Sequence, residues 1–94
     1  MNDDDFEWHQ KKAARNLAEH GVSFEVAREV FDDPALLDQL DDRQDYGEDR
    51  YNAIGQVKGR ILVVTYTLRG SRIRLISARL AEPHERRQYH EKTR

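Results

Sequence analysis

Three polar side chains in the first half of the sequence have the types and spacing for acid–base chemistry: Lys12, His20 and Glu48. Histidine exchanges its proton near neutral pH. His20 directly precedes Gly21, so that a helix end could aim its ring inward. Lys12 precedes His20 by eight residues, just over two helical turns, so the two lie near one helix face.

A carboxylate or histidine beside cations can cleave RNA without a metal ion. The cations stabilise the crowded phosphate, a base takes the proton of the 2′-hydroxyl, and an acid protonates the leaving 5′-oxygen. Each candidate also has a structural explanation. His20 could serve only the helix dipole, Lys12 could be a solvated helix residue, and Glu48 could pair with Arg50. Residue types alone leave both explanations open.

Arginines are concentrated on or beside three short predicted strands, at Arg50, Arg60, Arg69, Arg72, Arg74 and Arg79. Guanidinium groups match phosphate with two parallel hydrogen bonds. Tyr51 and Tyr66 lie nearby and could stack bases, so this density favours a polyanion such as RNA. The alternative is that carboxylates of the chain itself, such as Glu48 or Glu85, neutralise these arginines.

One pair of these arginines depends on the hairpin register. A turn centred on Arg69-Gly70 would place Arg60 opposite Arg79. Directly opposed like charges destabilise a sheet, so an anion would be expected between them, either a local carboxylate or a substrate phosphate. A one-residue change in the turn would move every pair.

The helices that must position these residues are indicated by local patterns. Apolar residues at three- and four-residue spacing predict a helix over residues 10–20 that ends at Gly21. Ser23 can cap a second helix, which stops before Pro34. Pro83 suits the first turn of a final helix that runs to about Glu91.

The strands follow from β-branched runs between turn residues. Residues 50–55, 60–67 and 72–79 predict a three-stranded antiparallel meander, with weaker strands around 35–40 and 6–8 and an acidic loop over 41–49. The predicted fold class is therefore α+β, with two N-terminal helices, an antiparallel sheet and a C-terminal helix.

Length and composition limit the possibilities further. A chain of 94 residues and 11.1 kDa makes a single domain over residues 1–94, with 1–5 and 92–94 expected to be flexible. The absence of cysteine excludes disulfides and thiol chemistry. No histidine and carboxylate have metal-ligand spacing, so neither a metal nor a cofactor is predicted. The longest apolar run, 61–64, is too short for a bilayer, and the acidic N-terminus is unlike a signal peptide, so a cytoplasmic protein is expected.

The net charge of −2 hides a strong asymmetry between the two halves. Residues 1–49 hold fifteen acids and five bases, a balance of −10, whereas residues 50–94 hold three acids and eleven bases, a balance of +8. Such asymmetry is typical of nucleic-acid contact or a charged partner. The alternative is that the halves fold together and neutralise each other at their seam.

Four motifs then occur in order: Phe6-Glu7-Trp8, His20-Gly21-Val22-Ser23-Phe24, Gly47-Glu48-Asp49-Arg50-Tyr51 and Ile76-Ser77-Ala78-Arg79. With them, residues 6–90 resemble the BrnT family of toxins from bacterial type II toxin–antitoxin modules. Two positions depart from the family pattern. His9-Gln10 replaces the usual Asp-Pro, and Glu19 stands where a basic residue commonly precedes the histidine.

The resemblance implies a small ribonuclease toxin with a RelE-like fold that inhibits translation and growth. It also implies a cognate ribbon-helix-helix antitoxin, BrnA-like, that silences the toxin and with it binds operator DNA. The catalytic residues expected from it are Lys12, His20, Glu48 and Arg79. The expected substrate-binding residues are Arg50, Arg60, Arg69, Arg74 and Tyr89. Asn16 is expected to be structural. The alternatives are a binding module that holds RNA or protein without cutting, and an inactive toxin that serves only as antitoxin partner and co-repressor.

Overall fold

The computed structural model describes residues 3–42 and 47–92. The strands are β1 (Phe6–Glu7), β2 (Leu37–Asp41), β3 (Arg50–Val57), β4 (Arg60–Arg69) and β5 (Arg72–Leu80). The helices are α1 (Gln10–His20), α2 (Phe24–Ala27) and α3 (Pro83–Lys92), with 3₁₀ turns at Asp3–Asp5 and Arg28–Asp32. Residues 43–46 of the predicted acidic loop and residues 1, 2, 93 and 94 of the expected flexible termini lie outside the described residues.

The first helix ends where its sequence predicted. Gly21 adopts a left-handed conformation with φ of 69°, and its N–H donates to the carbonyl of Leu17 over 2.9 Å. Glycine adopts this conformation without the steric cost that a Cβ imposes. The imidazole Nδ1 of His9 caps the other end by accepting the N–H of Lys11. The prediction of a helix over residues 10–20 is therefore confirmed.

The second helix is shorter than predicted. The Ser23 hydroxyl accepts the N–H of Val26, as expected of its cap, but α2 ends at Ala27 and the chain continues as a 3₁₀ turn to Asp32. This tighter winding is common at helix ends. It precedes Asp33-Pro34, where the backbone must become extended, and Asp33 has ψ of 116°.

The predicted meander is confirmed, since β3 pairs antiparallel with β4 and β4 with β5. The full sheet has the order β1-β5-β4-β3-β2. The prediction of a wholly antiparallel sheet is wrong at one edge, because β1 lies parallel to β5. A strand of two residues has no periodicity from which its partner could be inferred.

The predicted register of the second hairpin is also wrong. The turn is Gly70-Ser71, which places Arg69 opposite Arg72, and an irregularity at Thr65/Tyr66 shifts the pairing further along. Arg79 consequently lies opposite Val63, while Arg60 lies opposite Val57 on the other neighbouring strand. The two arginines are not opposed, so the argument for an anion between them does not hold.

Apolar side chains fill both faces of the sheet unequally. On the face covered by α1, α2 and the second 3₁₀ turn, the larger core includes the fully buried Phe24, Val30 and Leu62. On the opposite face, a smaller core surrounds Tyr89 of α3 and includes Ile54 of β3. α3 therefore packs on only part of this second face.

One buried amide joins α1 to the edge of the sheet. Asn16 is 5% exposed, and its side-chain Oδ1 accepts the N–H of Ala78 at 3.0 Å. Its Nδ2 donates to the carbonyl oxygens of Ala78, at 2.8 Å, and Val22, at 2.9 Å. The side chain thus pairs with β5 as the peptide group of a neighbouring strand would, and it satisfies backbone groups that burial would otherwise leave unbonded.

Asn16→Leu should lower the free energy of unfolding by about 3 kcal/mol, because three buried backbone groups lose their partner. Urea unfolding followed by circular dichroism measures this loss. Asn52→Leu is the matched control, since Asn52 is half-buried and its amide oxygen accepts one hydroxyl hydrogen bond, from Thr65. Equal losses in the two variants would contradict the role given to Asn16.

Candidate nucleic-acid interface

The second face of the sheet carries a group of arginines beyond the part that α3 covers. Arg74, Ser77 and Arg79 of β5 lie opposite Thr67, Thr65 and Val63 of β4. Opposed residues share a face, and the alternate residues of β4 are those buried against α1 and α2. The same alternation brings further arginines here from β3, β4 and β5. We call this surface the arginine face; its members are Arg50, Arg69, Arg72, Arg74 and Arg79, with side chains 23% to 53% exposed.

Glutamates from the acidic half of the chain hold four of these arginines. Glu7 Oε2 lies 2.7 Å from Arg74 Nη1, and its Oε1 lies 3.5 Å from Arg72 Nε. Glu48 likewise lies 3.5 Å from both Arg50 and Arg69. The predicted pairing of Glu48 with Arg50 is therefore confirmed, and the two halves of the chain do neutralise each other in part along this seam.

The fifth arginine is bound by a carboxylate of α3. Arg79 donates from Nη1 to Glu85 Oε1 at 2.7 Å and from Nη2 to Oε2 at 2.9 Å. Glu85 Oε1 also accepts the N–H of Glu82, just before the helix begins. The hydrogen bonds from Arg79 are the main reason why the pKa of Glu85 lies below its usual value, against the opposing effect of burial.

Positive charge remains in excess on the arginine face. Its five arginines meet three glutamates, and one further carboxylate, the buried Asp41, lies opposite Arg50 in the sheet. All five arginine side chains are still partly accessible to solvent, although the Nε of Arg50 is buried. Such a surface can exchange its own carboxylates for the phosphates of a polyanion.

A groove lies next to the arginine face, between α1 and the edge of β5. Its volume is about 190 Å³, and it is lined by Lys12, Arg15, Asn16, Glu19, His20, Ile76 and Ser77. The edge is open there because β1 pairs with β5 only at Ile73 and Arg74. Lys12 and His20 are thus brought to one groove, as their helical spacing predicted. Ser77 belongs to both the groove and the arginine face, so the two surfaces are continuous.

His20 remains accessible in this groove. Its side chain is 39% exposed, and its Nε2 lies 3.9 Å from Glu19 Oε2. An accessible imidazole in a groove that also holds a lysine can take a proton from, or return one to, a bound substrate.

Glu48 and Arg60, two of the residues predicted from the sequence, lie away from the groove. Glu48 is held near the β4–β5 turn by Arg69, whereas the groove meets β5 at Ile76 and Ser77. Arg60 lies three residues along β4 from Val63, the partner of Arg79, about 10 Å at roughly 3.3 Å per residue, but strand alternation assigns it to the opposite face of the sheet. The structure therefore separates Glu48 from His20, and Arg60 from the arginine face.

Tyr89 is buried instead of presented to a ligand. It is 4% exposed, and its hydroxyl donates to Asp33 Oδ2 at 2.6 Å. Burial, together with the bond to the Asp33 carboxylate, raises the pKa of Tyr89 to about 12. The carboxylate of Asp33 also accepts the N–H groups of Ala35 and Gln56. Tyr89 thus fixes α3 to the loop before β2, away from the arginine face.

Some groove and face residues were not predicted from the sequence. Arg15 and Glu19 follow Lys12 at three and seven residues, so a full projection of the helix would have placed them on its face. Glu7 organises Arg72 and Arg74 through the parallel pairing of β1, which no local pattern indicates.

Two further observations concern the described residues alone. Residues 3–42 and 47–92 contain no group of three or more histidine, aspartate or glutamate side chains arranged to hold a metal ion. None of the helices in these ranges has the length and hydropathy that a bilayer crossing requires.

Comparison with protein families gives a match over most of the chain. Residues 8–85 match the family model described as the ribonuclease toxin, BrnT, of type II toxin-antitoxin systems. The matched range includes the whole groove and all five members of the arginine face. A search of curated proteins found no match to this sequence.

Glu85→Gln should lower the free energy of unfolding by about 1 kcal/mol near pH 7, because it removes the charge-assisted bonds with the partly exposed Arg79. The pKa of Glu85 is lowered by folding, so its carboxylate stabilises the fold above the unfolded value of 4.5. This contribution is lost as the pH falls through the folded pKa. The difference between the variant and the wild type should therefore shrink below about pH 4.5 in urea unfolding.

Glu82→Gln is the matched control for this comparison, because the Glu82 side chain is 64% exposed and near only His84. It should unfold like the wild type. A deficit in Glu85→Gln that is the same at every pH would argue against the ion pair as its cause.

Proposed function

The chain belongs to the BrnT family of ribonuclease toxins of type II toxin–antitoxin systems, and on this basis we propose that it cleaves RNA without a metal ion at the groove beside the arginine face. The observation that supports this most is the continuity of the two surfaces at Ser77. One surface offers guanidiniums for phosphates, and the other offers a lysine and a histidine for proton transfer. A RelE-like toxin is the corresponding functional class.

RNA would bind by replacing internal carboxylates with its own phosphates. Arg74 and Arg79 lie on either side of Ser77 along one face of β5, so they flank the groove. Each now holds a glutamate at 2.7 Å, the geometry in which a guanidinium also holds phosphate. Partly exposed ion pairs contribute only about 1 kcal/mol or less. A phosphate that engages several of these arginines at once can displace them.

The chemical step would be transesterification. The neutral imidazole of His20 accepts the proton of the 2′-hydroxyl, and the 2′-oxygen attacks the adjacent phosphorus. The bond from phosphorus to the 5′-oxygen breaks, which leaves a 2′,3′-cyclic phosphate on one fragment. The 5′-oxygen needs one proton to leave as a hydroxyl, and we assign that proton to the ammonium of Lys12, which lines the same groove. Arg79 would stabilise the charge that develops on the phosphoryl oxygens.

Glu48 would have a positioning role in this scheme. It lies 3.5 Å from Arg50 and from Arg69 and holds both guanidiniums on the arginine face. These two arginines would then contact phosphates away from the point of cleavage. Proton transfer would be carried out by His20 and Lys12 in the groove.

Regulation would come from a cognate partner in the cytoplasm. An antitoxin of the ribbon-helix-helix class could neutralise the toxin by placing its own carboxylates on the arginine face, where Glu7, Glu48 and Glu85 now lie. The pair would then bind operator DNA through the antitoxin. Free toxin would degrade RNA, and translation and growth would stop.

His20→Ala should reduce cleavage of a labelled RNA by about 100-fold or more, because general base catalysis is lost. His84→Ala is the matched control and should cleave like the wild type, since His84 is 61% exposed and lies outside the groove. Both variants and the wild type are assayed in excess EDTA, and the products are tested for a 2′,3′-cyclic phosphate. Activity that EDTA removes, or full activity of His20→Ala, would overturn the proposed mechanism.

Arg79→Ala should reduce cleavage by about 100- to 1,000-fold, as the loss of a group that stabilises developing charge does. Arg60→Ala tests position, because it removes the same charge from the opposite face of the sheet and should retain activity. Glu85→Gln tests stability, because it breaks the same ion pair yet leaves Arg79 in place. If Arg79→Ala loses cleavage only because loss of this ion pair unfolds the chain, Glu85→Gln should lose cleavage to the same extent; we expect it to stay active.

The non-catalytic alternatives are tested with the wild-type chain. Expression without an antitoxin should arrest bacterial growth with loss of RNA. Unharmed growth with tight RNA binding would favour a binding module. Unharmed growth without RNA binding, but with repression alongside an antitoxin, would favour an inactive co-repressor.

A further inference from the structure

We propose that a second cleft, at the outer edge of β1, binds one guanine base of the RNA. The inference rests on the proposed ribonuclease function and extends it to the substrate sequence. The cleft has a volume of about 380 Å³ and is lined by Phe6, Glu7, Trp8, Gln10, Glu25 and Arg28. The cleft shares no lining residue with the groove. Of its lining residues, Phe6 and Trp8 also belong to the larger core.

Flat groups suited to stacking line this cleft. Trp8 packs edge-on against Phe24, with ring centroids 5.8 Å apart and an interplanar angle of 78°, and remains partly exposed. The guanidinium of Arg28 lies over the ring of Phe6, 6.0 Å from its centroid. Unpaired RNA bases are commonly held by stacking on aromatic rings and on the planes of arginine side chains. A nucleobase therefore matches the shape and chemistry of the walls.

The polar groups of the cleft favour guanine among the four bases. Within the described residues, the exposed side chains of Gln10 and Glu25 form no hydrogen bond or ion pair. A carboxylate can accept from both the N1–H and the N2 amino group of guanine, which lie side by side on its pairing edge. Glu25, which lines the cleft, supplies this carboxylate. Cytosine offers a carboxylate a single amino group, and uracil offers one ring N–H.

β1 connects the cleft directly to the arginine face. Arg72 donates to the carbonyl oxygen of Phe6 at 2.9 Å, and Arg74 is paired with Glu7 at 2.7 Å, so the residues that line the cleft also hold two phosphate-binding candidates. Gln10 begins α1, the helix that also carries the groove residues Lys12 and His20. Because α1 rises about 1.5 Å per residue, Gln10 and His20 lie roughly 15 Å apart along it. One short stretch of RNA can occupy the cleft, the arginines and the groove together.

A side chain of a protein partner is the other candidate occupant. An apolar side chain would displace water from the carboxylate of Glu25 and the amide of Gln10 without replacing its hydrogen bonds, whereas a base would replace them. These two polar groups thus favour a base, and the neighbouring arginines provide for its phosphate.

Trp8 is the one tryptophan of the chain, so its fluorescence reports on the cleft. The purified full chain is titrated with 5′-GMP, 5′-AMP, 5′-CMP and 5′-UMP. We expect GMP to quench Trp8 at concentrations at least tenfold lower than the other three. Glu25→Gln should weaken the guanine preference by about tenfold, within the range for one paired hydrogen-bonding contact to a base. Glu29→Gln is the matched control, since Glu29 lines a different cleft, and should behave like the wild type.

Each other result counts against the inference. Equal quenching by all four nucleotides, or a preference for CMP, would overturn guanine recognition. Quenching by an antitoxin but by none of the nucleotides would assign the cleft to a protein partner. Failure of the proposed ribonuclease function can be told apart from failure of this inference. His20→Ala should still bind GMP although it no longer cleaves RNA. A wild-type chain that binds GMP but cleaves no RNA would contradict the ribonuclease function alone.

Discussion

The paired hydrogen bonds between the amide of Asn16 and the peptide of Ala78 set the distance between α1 and the sheet. All the polar groups of the groove depend on that distance, because Lys12 and His20 belong to α1 and Ser77 directly precedes Ala78. A side chain replaces a neighbouring strand at this point of β5. The backbone groups of Ala78 at this edge are thereby hydrogen-bonded although no strand covers them, and the groove stays open to solvent.

The arginine face shows how a chain with little net charge can gather arginines on one surface. Its arginines come from the basic half, and the glutamates that arrange them include Glu7 and Glu48 from the acidic half. The two explanations of the charge asymmetry therefore apply together. The carboxylates hold the guanidiniums apart in fixed positions, which would lower the ordering cost if phosphates took their place.

Helix α1, the meander and the C-terminal helix could be predicted from the sequence because each has a local cause: apolar spacing, Gly21 and Pro83 at helix ends, and β-branched runs between turns. The placement of Lys12 with His20 followed from helical spacing alone. The parallel pairing of β1 and the shift at Thr65/Tyr66 could not, because both depend on contacts distant in sequence. Tyr89 was expected to bind substrate for a similar reason: its burial depends on Asp33, which is far away in the chain, and no local pattern indicates that contact.

The double role of Glu85 has an energetic consequence for the whole molecule. Its carboxylate both holds Arg79 and accepts the N–H at the start of α3, so occupancy of Arg79 and attachment of α3 share one group. An anion that binds Arg79 in place of Glu85 weakens the docking of α3. By thermodynamic reciprocity, release of α3 strengthens the binding of that anion by the same free energy. Docking of the C-terminal helix therefore lowers the affinity of the arginine face for anions.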